Sequence, residues 1–241
     1  EGIVLLDDGF LVCSEAGPRV FEVDRRGRVR RELPVPPRFR GARPNKSLES
    51  LTASPSRRYL FMTTEVAVEA DGAGASARAG TRVRIVRVEA SAAREGRLEG
   101  ASEHLYETDR AIADDTDWGV SDLAATADDE LLVLERGWAR GHGNSVRVYH
   151  VALEAGASCQ DVDRLPRSAP VLHKSLRVDL RDLAVSGLPV PKQPQPTPLL
   201  DNFEGIAIGP RLPDGRRAVM LVSDDNGHAD QVARLLVLAF P

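Results

Sequence analysis

The stretch ESLTASPSRRYLFMTTE, Glu49–Glu65, holds two short apolar runs on either side of the turn residues Ser54–Ser56. Serine and proline favour a tight turn there, so the two runs are expected to be antiparallel strands of one hairpin. A third run, Thr81–Val88, alternates strictly between apolar and polar residues, as a half-buried antiparallel strand does. The stretch therefore predicts a small sheet in which a hairpin is extended by a third strand.

The same unit recurs along the chain. Each copy begins with a carboxylate, continues through two apolar strands joined by a turn, and ends in a second carboxylate. The first carboxylates are Glu1, Glu49, Asp122 and Glu204, and the second are Glu15, Glu65, Glu135 and Asp224. A third alternating strand follows in every copy. Antiparallel units repeated in this way are typical of a β-propeller.

We therefore predict an all-β chain, a β-propeller of four-stranded antiparallel blades that forms a single domain over residues 1–241. The unit starts are 48, 73 and 82 residues apart, so the later units are expected to carry long loops or to conceal another blade. This spacing predicts about five or six blades and leaves open whether the ring is incomplete at the N-terminus.

Composition narrows the function. The chain has 241 residues and a formal net charge of −4, a near balance that argues against a nucleic-acid binder. No apolar run approaches the roughly 20 residues that a membrane-spanning helix needs. We expect a monomer that acts on a small molecule. Cys13 and Cys159 are either one disulfide of an exported protein or two buried thiols, and the sequence favours neither.

The repeated carboxylates are the main candidates for a site. The innermost strand of each blade lines the propeller channel, so equivalent residues are expected to converge there. Crowded carboxylates repel one another and must take up protons or bind a cation. Without a His or Cys cluster, such oxygen ligands favour calcium, with magnesium second. The predicted metal ligands are Glu1, Glu49, Asp122, Asn202, Glu204, Asp224 and Asp225. The alternative is that these acids bind backbone amides and hold the blades together.

Basic and imidazole groups supply candidates for substrate binding. We predict this role for Arg136, Arg140, His142 and His228, which lie close to the predicted strand ends. The alternatives are ordinary surface arginines and, for Asp224–His228, a plain Asp-Asn-Gly turn. A further acidic loop contains Asp114, Asp115 and Asp117. The sequence has no Gly-x-Ser-x-Gly, Ser-x-x-Lys or His-Glu-x-x-His motif and no P-loop.

Several of these segments resemble a known family. Asn45–Pro55, followed by Leu60–Glu65, is similar to the Asn-x-x-x-Glu-Gly-Leu-Ala unit of the phytase-like family, described as "esterase-like activity of phytase". Asp201–Pro210 and Leu221–Asn226 resemble its C-terminal signature. Ser50 stands where the family has glycine. The resemblance implies a bacterial β-propeller that is exported, to the periplasm or the outside, and that hydrolyses a carboxylic or phosphate ester.

Taken together, the carboxylate pattern and the resemblance predict an ester hydrolase without a covalent serine or cysteine intermediate. The predicted catalytic residues are Glu49, Glu204 and Asp224, which would hold a cation that activates water, with one carboxylate as general base. Two alternatives stay open. One is a non-catalytic propeller that binds a ligand or protein and uses the cation structurally, and the other is a lactonase-like propeller.

Overall fold

The computed structural model describes residues 1–97, 102–114, 116–153, 158–160 and 162–240. Within these residues, fifteen strands form four antiparallel sheets. The α-helix Ala90–Arg94 and the 3-10 turns Pro37–Gly41 and Leu180–Asp182 are short. None of the described helices has the length and apolar character needed to span a bilayer. The prediction of an all-β chain is confirmed.

Each sheet is built from strands that follow one another in sequence. Sheet 1 contains β1 Ile3–Leu5, β2 Gly9–Ser14, β3 Arg19–Asp24 and β4 Val29–Leu33. Sheet 2 contains β5 Leu48–Ala53, β6 Tyr59–Thr64, β7 Arg82–Glu89 and β8 Ser102–Glu107. Sheet 3 contains β9 Asp117–Ala125, β10 Glu130–Ala139, β11 Gly143–Ala152 and β12 Lys174–Asp179. Sheet 4 contains β13 Phe203–Arg211, β14 Arg217–Ser223 and β15 Arg234–Phe240.

The first strands of the four sheets lie side by side at the centre, in the order β1, β5, β9 and β13. This arrangement is that of a β-propeller. The predicted number of five or six blades was wrong, because the described residues form four sheets, one of them with three strands. The wide spacing of the later units comes from long connections before β7, β12 and β13, and these connections conceal no further sheet among the described residues.

Successive sheets pack face to face through apolar side chains. The same rows meet in each interface: Leu11 and Cys13 with Leu60 and Met62, then Phe61 with Leu131 and Val133, then Leu132 and Leu134 with Val219 and Leu221. Strict alternation along each strand supplies two such faces per sheet. Burying one of these side chains stabilises the fold by about 1.5 to 3 kcal/mol.

The two end sheets each keep one apolar face in contact with solvent. On sheet 1, Ile3 and Leu5 are exposed, and on sheet 4 the exposed side chains are Val222, Leu235 and Val237. Ile3, Leu5 and Val222 alternate with buried neighbours along their strands, and Leu235 and Val237 alternate with half-buried ones. Among the residues that the structure describes, sheets 1 and 4 therefore have one packed neighbour each, while sheets 2 and 3 have two.

A buried ion network ties the long connection before β7 to sheet 2. The Arg84 guanidinium donates to both oxygens of Asp71, at 2.6 and 2.8 Å, and to Glu103 Oε2 at 3.0 Å. The Arg84 and Asp71 side chains are almost fully shielded from solvent. Because each charge is paired, the network is tolerated in the interior.

Both cysteines are buried free thiols, so the structure decides between the two alternatives for Cys13 and Cys159. Cys13 lies in the interface between sheets 1 and 2, and Cys159 packs against Leu105 and Leu165. Burial raises the pKa of the Cys13 thiol to about 12.

Irregular strand pairing shapes the centre of the molecule. The residues on either side of Glu49 pair with consecutive residues of β6, so Glu49 is the extra residue of a β-bulge. Glu204 holds the same position in β13 relative to β14. In β9 the corresponding extra residue is Ser121, because its neighbours Val120 and Asp122 pair with consecutive residues of β10.

Candidate functional site

The bulges correct the equivalence that the sequence suggested. Ser121, not Asp122, is the third-sheet counterpart of Glu49 and Glu204. The same one-residue shift applies to the second strand. Thr64 and Ser223 pair with the residue before the bulge, and in β10 this partner is Glu135.

In each of these sheets, the residue that follows this partner on the second strand is therefore the true counterpart among the second carboxylates. It is Glu65 after β6, Asp224 after β14 and Arg136 within β10. The third sheet thus places a hydroxyl and a guanidinium where the others place carboxylates. The predicted membership of Asp122 and Glu135 was wrong because a bulge shifts register without leaving a mark in the apolar pattern.

Ion pairs link sheets 2, 3 and 4 close to the starts of β5, β9 and β13. Lys46 Nζ lies 2.8 Å from Glu65 Oε1 and 2.5 Å from Asp117 Oδ1. Arg136 Nη1 lies 3.7 Å from the other Asp117 oxygen, and Arg136 Nη2 donates to Glu204 Oε1 at 3.1 Å. The result is a continuous chain of alternating charges from Glu65 to Glu204.

We call the whole group the mouth cluster. Its members are Glu1, Glu15, Lys46, Glu49, Glu65, Asp117, Arg136, Asn202 and Glu204. The Asn202 amide donates to Glu204 Oε1 at 2.8 Å, which fixes that carboxylate from a second side. Glu1 and Glu15 join the cluster through the electrostatic field that they exert on Glu49.

Glu49 is the most perturbed acid of the mouth cluster. The residue is only 9% exposed, and its Oε2 atom has no hydrogen-bond partner within the part of the chain that the structure describes. Burial, followed by the charges of Glu65, Glu1 and Glu15, raises the pKa of Glu49 to about 9, with Arg136 opposing the shift. Glu49 is therefore a neutral carboxylic acid at neutral pH.

The neighbouring groups show the same competition between burial and charge. Burial raises the pKa of Glu65, although Lys46 and Arg136 oppose the change. Burial and then the charge of Glu1 raise the pKa of Glu15. Burial opposes the positive charge of Lys46, but Glu65 and Asp117 outweigh it and raise the pKa of the ammonium. Lys46 thus stays charged, while Glu65 and Glu15 hold their protons more tightly than usual.

Among the described residues Asp122 makes no hydrogen bond or ion pair to the mouth cluster, although it lines the same cavity as Glu1 and Glu204, and it does what the structural alternative predicted. Its Oδ2 accepts the backbone N–H of Ile206 in β13 at 2.9 Å, and its Oδ1 accepts the N–H of Leu123 at 2.8 Å. Burial raises the pKa of Asp122 to about 7, and these two N–H groups hold it below what burial alone would give. Asp122 therefore joins sheets 3 and 4.

The segment Asp224–His228 forms a turn after β14. Asp224 Oδ1 accepts the N–H of Asn226 at 2.9 Å, and Asp225 Oδ1 accepts the N–H of Gly227 at 2.9 Å. Asn226 adopts a left-handed φ of 50°. The Asp224 and His228 side chains are exposed. These side chains thus support their own turn, and among the described residues no hydrogen bond or ion pair joins them to the acids of the mouth cluster.

The remaining predicted groups lie at the tip of the β10–β11 hairpin. Arg140 and His142 are both exposed there. Arg140 follows Arg136 by four residues, about 13 Å along an extended strand. Arg136 is thus the predicted substrate-binding residue that the structure places in the mouth cluster. Of the predicted acidic loop, Asp117 also lies in the cluster, Asp114 accepts the N–H of Ala77 at 3.1 Å, and Asp115 falls outside the described residues.

Lys46 is the cluster member that the sequence did not single out. It precedes Glu49 by three residues, inside the segment that resembles the family unit, but nothing in the sequence pattern marks it as half-buried between two carboxylates. Its role follows from a turn at Asn45, whose φ is 56°, which directs the chain into β5.

The donors of the mouth cluster do not fit a metal ion as they stand. Among the described residues, no three or more His, Cys, Asp or Glu side chains are grouped so that they can hold one. Lys46 and Arg136 already engage oxygens of Glu65 and Glu204, and the unpartnered Oε2 of Glu49 is a single donor. Binding of calcium stays a prediction.

A cavity of about 690 Å³ adjoins the mouth cluster. It touches the cluster at Glu1 and Glu204 and continues along the first strands of all four sheets. Apolar side chains such as Leu51, Ile206 and Met220 line its walls. The volume is that of a site for a small molecule, with polar groups at one end.

Comparison with known proteins identifies a family whose model matches most of the sequence. The model of the phytase-like family, described as "esterase-like activity of phytase", matches residues 1–227. No curated protein matches the chain significantly.

Proposed function

Since the chain belongs to the phytase-like family, we propose that it hydrolyses a carboxylic or phosphate ester at the mouth cluster. The observation that carries this proposal is the pairing of a neutral buried acid, Glu49, with ion-paired carboxylates beside a small-molecule cavity. A protonated carboxyl group and an ion-paired carboxylate in one site can serve as the acid and the base of one reaction.

We assign the base role to Glu204. Arg136 and Asn202 orient its carboxylate, and its side chain is 30% exposed, so water reaches it. Glu204 takes a proton from a water molecule while the water oxygen attacks the ester carbon or phosphorus. The bond to the leaving oxygen breaks, and Glu49 donates its proton to that oxygen. Glu204 thus gains one proton and Glu49 loses one, so the protons balance over the reaction.

Arg136 supplies the electrostatic part of the mechanism. Its side chain is 90% buried, and its Nε atom has no hydrogen-bond partner among the described residues. A fixed guanidinium in such a site stabilises negative charge that develops on the ester oxygen. The guanidinium cannot swing away because Asp117 and Glu204 hold its two terminal nitrogens.

The test is turnover of a panel containing an aryl ester, an aryl phosphate and a cyclic ester. Glu49→Gln and Glu204→Gln are expected to lower kcat by about a hundredfold or more on whichever ester is hydrolysed. Glu130→Gln is the matched control, because Glu130 begins the same strand as Arg136 but lies about 20 Å away. Wild-type turnover in both cluster variants would refute the assignment.

The panel also separates the other candidate functions. Hydrolysis of the cyclic ester alone would favour a lactonase. A binding propeller is favoured by the ion-pair chain through Lys46 and Arg136, which pairs Glu65, Asp117 and Glu204 without any substrate. In that case no ester would be turned over above the blank rate.

Calcium and export belong to the proposal as further predictions. Because a cation must displace protons from Glu49 and its neighbours, calcium is expected to bind more tightly as pH rises. A chelator series, read by melting temperature and by turnover, tests whether the reaction needs it. Fractionation of the source cells tests whether the protein is exported.

A further inference from the structure

A second pocket lies between sheets 1 and 2, beside the helix Ala90–Arg94, and we call it the helix pocket. It opens where β1 and β5 end, at Leu5 and Ala53, whereas the mouth cluster lies where β5 begins. Among the residues that the structure describes, its lining includes no member of the mouth cluster. Its volume is about 240 Å³, more than the roughly 150 Å³ that is enough to hold benzene in a protein interior.

The floor of the helix pocket is apolar and is left uncovered by short side chains. Three buried leucines of sheets 1 and 2 form it: Leu11, Leu33 and Leu60. The helix faces them with Ala90 and Ala93, which are too small to fill the space above them. Arg31 of β4 donates to the backbone carbonyl of Arg94 at 2.5 Å and so holds the end of the helix over sheet 1. The space therefore belongs to a fixed part of the fold and suits an apolar group.

Basic groups outnumber acidic ones around the opening of the helix pocket. The charged residues that line it are Arg30, Arg31, Arg57, Arg94, Asp7, Asp8 and Glu22. Each acid forms an ion pair of 2.6 Å with one of the first three arginines. Arg94 remains: its side chain is exposed and makes no hydrogen bond or ion pair among the described residues. One guanidinium is thus available at the edge of an apolar space.

This combination selects for one kind of ligand. A carboxylate accepts two N–H groups from a guanidinium, and an apolar tail on that carboxylate would lie on the leucines of the floor. One unpaired guanidinium matches a single negative charge, whereas an ammonium group beside Arg94 would be repelled. From the pocket, its floor and its unpaired arginine we infer that the protein has a second binding site, which takes a small amphiphile with an apolar chain and one carboxylate.

The experiment is calorimetric titration of the protein with three compounds of equal chain length: octanoate, 1-octanol and octylammonium. We expect octanoate to bind about tenfold more tightly than 1-octanol, because only octanoate gains a charge-assisted hydrogen bond, and octylammonium to bind most weakly. Hexanoate, which is shorter by two methylene groups, should bind about tenfold more weakly than octanoate. Octanoate binding no tighter than 1-octanol, or no tighter than hexanoate, would overturn the inference.

Two variants assign the binding to the helix pocket, because Arg94 and Ala90 line this pocket but not the larger cavity beside the mouth cluster. Arg94→Gln should weaken octanoate about tenfold and leave 1-octanol unchanged, since no contact of the folded protein is lost. Ala90→Leu fills the space and should weaken both ligands at least about tenfold without lowering the melting temperature. Arg140→Gln, an exposed arginine at the tip of the β10–β11 hairpin, is the matched control and should bind octanoate as the wild type does.

The outcome does not depend on the proposed function. The titrations need no turnover, so failure to hydrolyse any ester would leave the site at the helix pocket standing. Octanoate affinity that is unchanged in both Arg94→Gln and Ala90→Leu would place the ligand elsewhere on the protein and overturn the inference, even if esters are hydrolysed.

Discussion

Glu49→Gln is expected to remove much of the pH dependence of stability. The folded protein keeps Glu49 protonated up to about pH 9, whereas the ordinary value for this carboxyl is 4.5. A raised folded pKa means that the unfolded state ionises first, so the stability that the protonated group contributes is fully present below pH 4.5 and is lost as pH rises towards 9. Glutamine has the shape of the protonated acid and cannot ionise.

The magnitude follows from the size of the shift. Each unit of pKa difference is worth about 1.4 kcal/mol, so the loss by about pH 8 has a ceiling near 5 kcal/mol. The mouth cluster reduces this figure because Glu15 and Glu65 also have raised pKa values and share the uptake of protons. We expect the variant to match the wild type at about pH 5 and to be more stable by about 2 kcal/mol at about pH 8.

The assay is urea unfolding followed by the fluorescence of Trp118, which is fully buried. Free energies of unfolding are taken at several pH values between about 5 and 8 at fixed ionic strength. Glu130→Gln, at a half-exposed site on β10 outside the mouth cluster, should keep the slope of the wild type. If the wild type and Glu49→Gln lose stability in parallel over this range, the reasoning that Glu49 is neutral in the folded protein is wrong.

Other perturbations test the scaffold around the site. Asp122→Ala leaves the N–H of Ile206 without its acceptor and should cost about 1 to 3 kcal/mol in urea unfolding. Arg84→Met strands Asp71 as a buried unpaired charge and should cost about 3 to 5 kcal/mol, so a melting temperature close to that of the wild type would contradict the description of that network. Cys13 should react with a thiol reagent only after denaturation, and a reducing agent should leave the melting temperature unchanged.

The sequence predicted the strands well because their period is a local property. Thr81–Val88 alternates between apolar and polar residues, and β7 occupies Arg82–Glu89. Likewise, the repeated carboxylates Glu49 and Glu204 were found at sequence level, and both lie in the mouth cluster. These features depend on residues that are close together in the chain.

Features that depend on strand pairing could not be predicted from the sequence. Aligning the third unit on its carboxylate gave Asp122 and Glu135, but the bulge at Ser121 moves the equivalence by one residue. Glu135 instead lies fully buried and accepts hydrogen bonds from Trp118 and Lys174. A carboxylate near a strand start has the same appearance in sequence whether it faces the channel or an adjoining sheet. The predicted number of blades was wrong for a related reason, because the length of a connection does not reveal whether the segment pairs with a neighbouring strand.

The serial packing of the four sheets bears on how the molecule opens. Since packing is mainly between neighbours in the row, stability approximates a sum of sheet and interface contributions. Sheets 2 and 3 are packed against a neighbouring sheet on both faces, whereas sheets 1 and 4 can unfold locally when a single interface between sheets is lost. Amide hydrogens of β15 are therefore expected to exchange with solvent long before those of β10, and opening should spread inwards from the two ends. The chain of ion pairs from Glu65 to Glu204 joins sheets 2, 3 and 4, so its geometry should persist through fraying of sheet 1 and be lost when sheet 4 detaches.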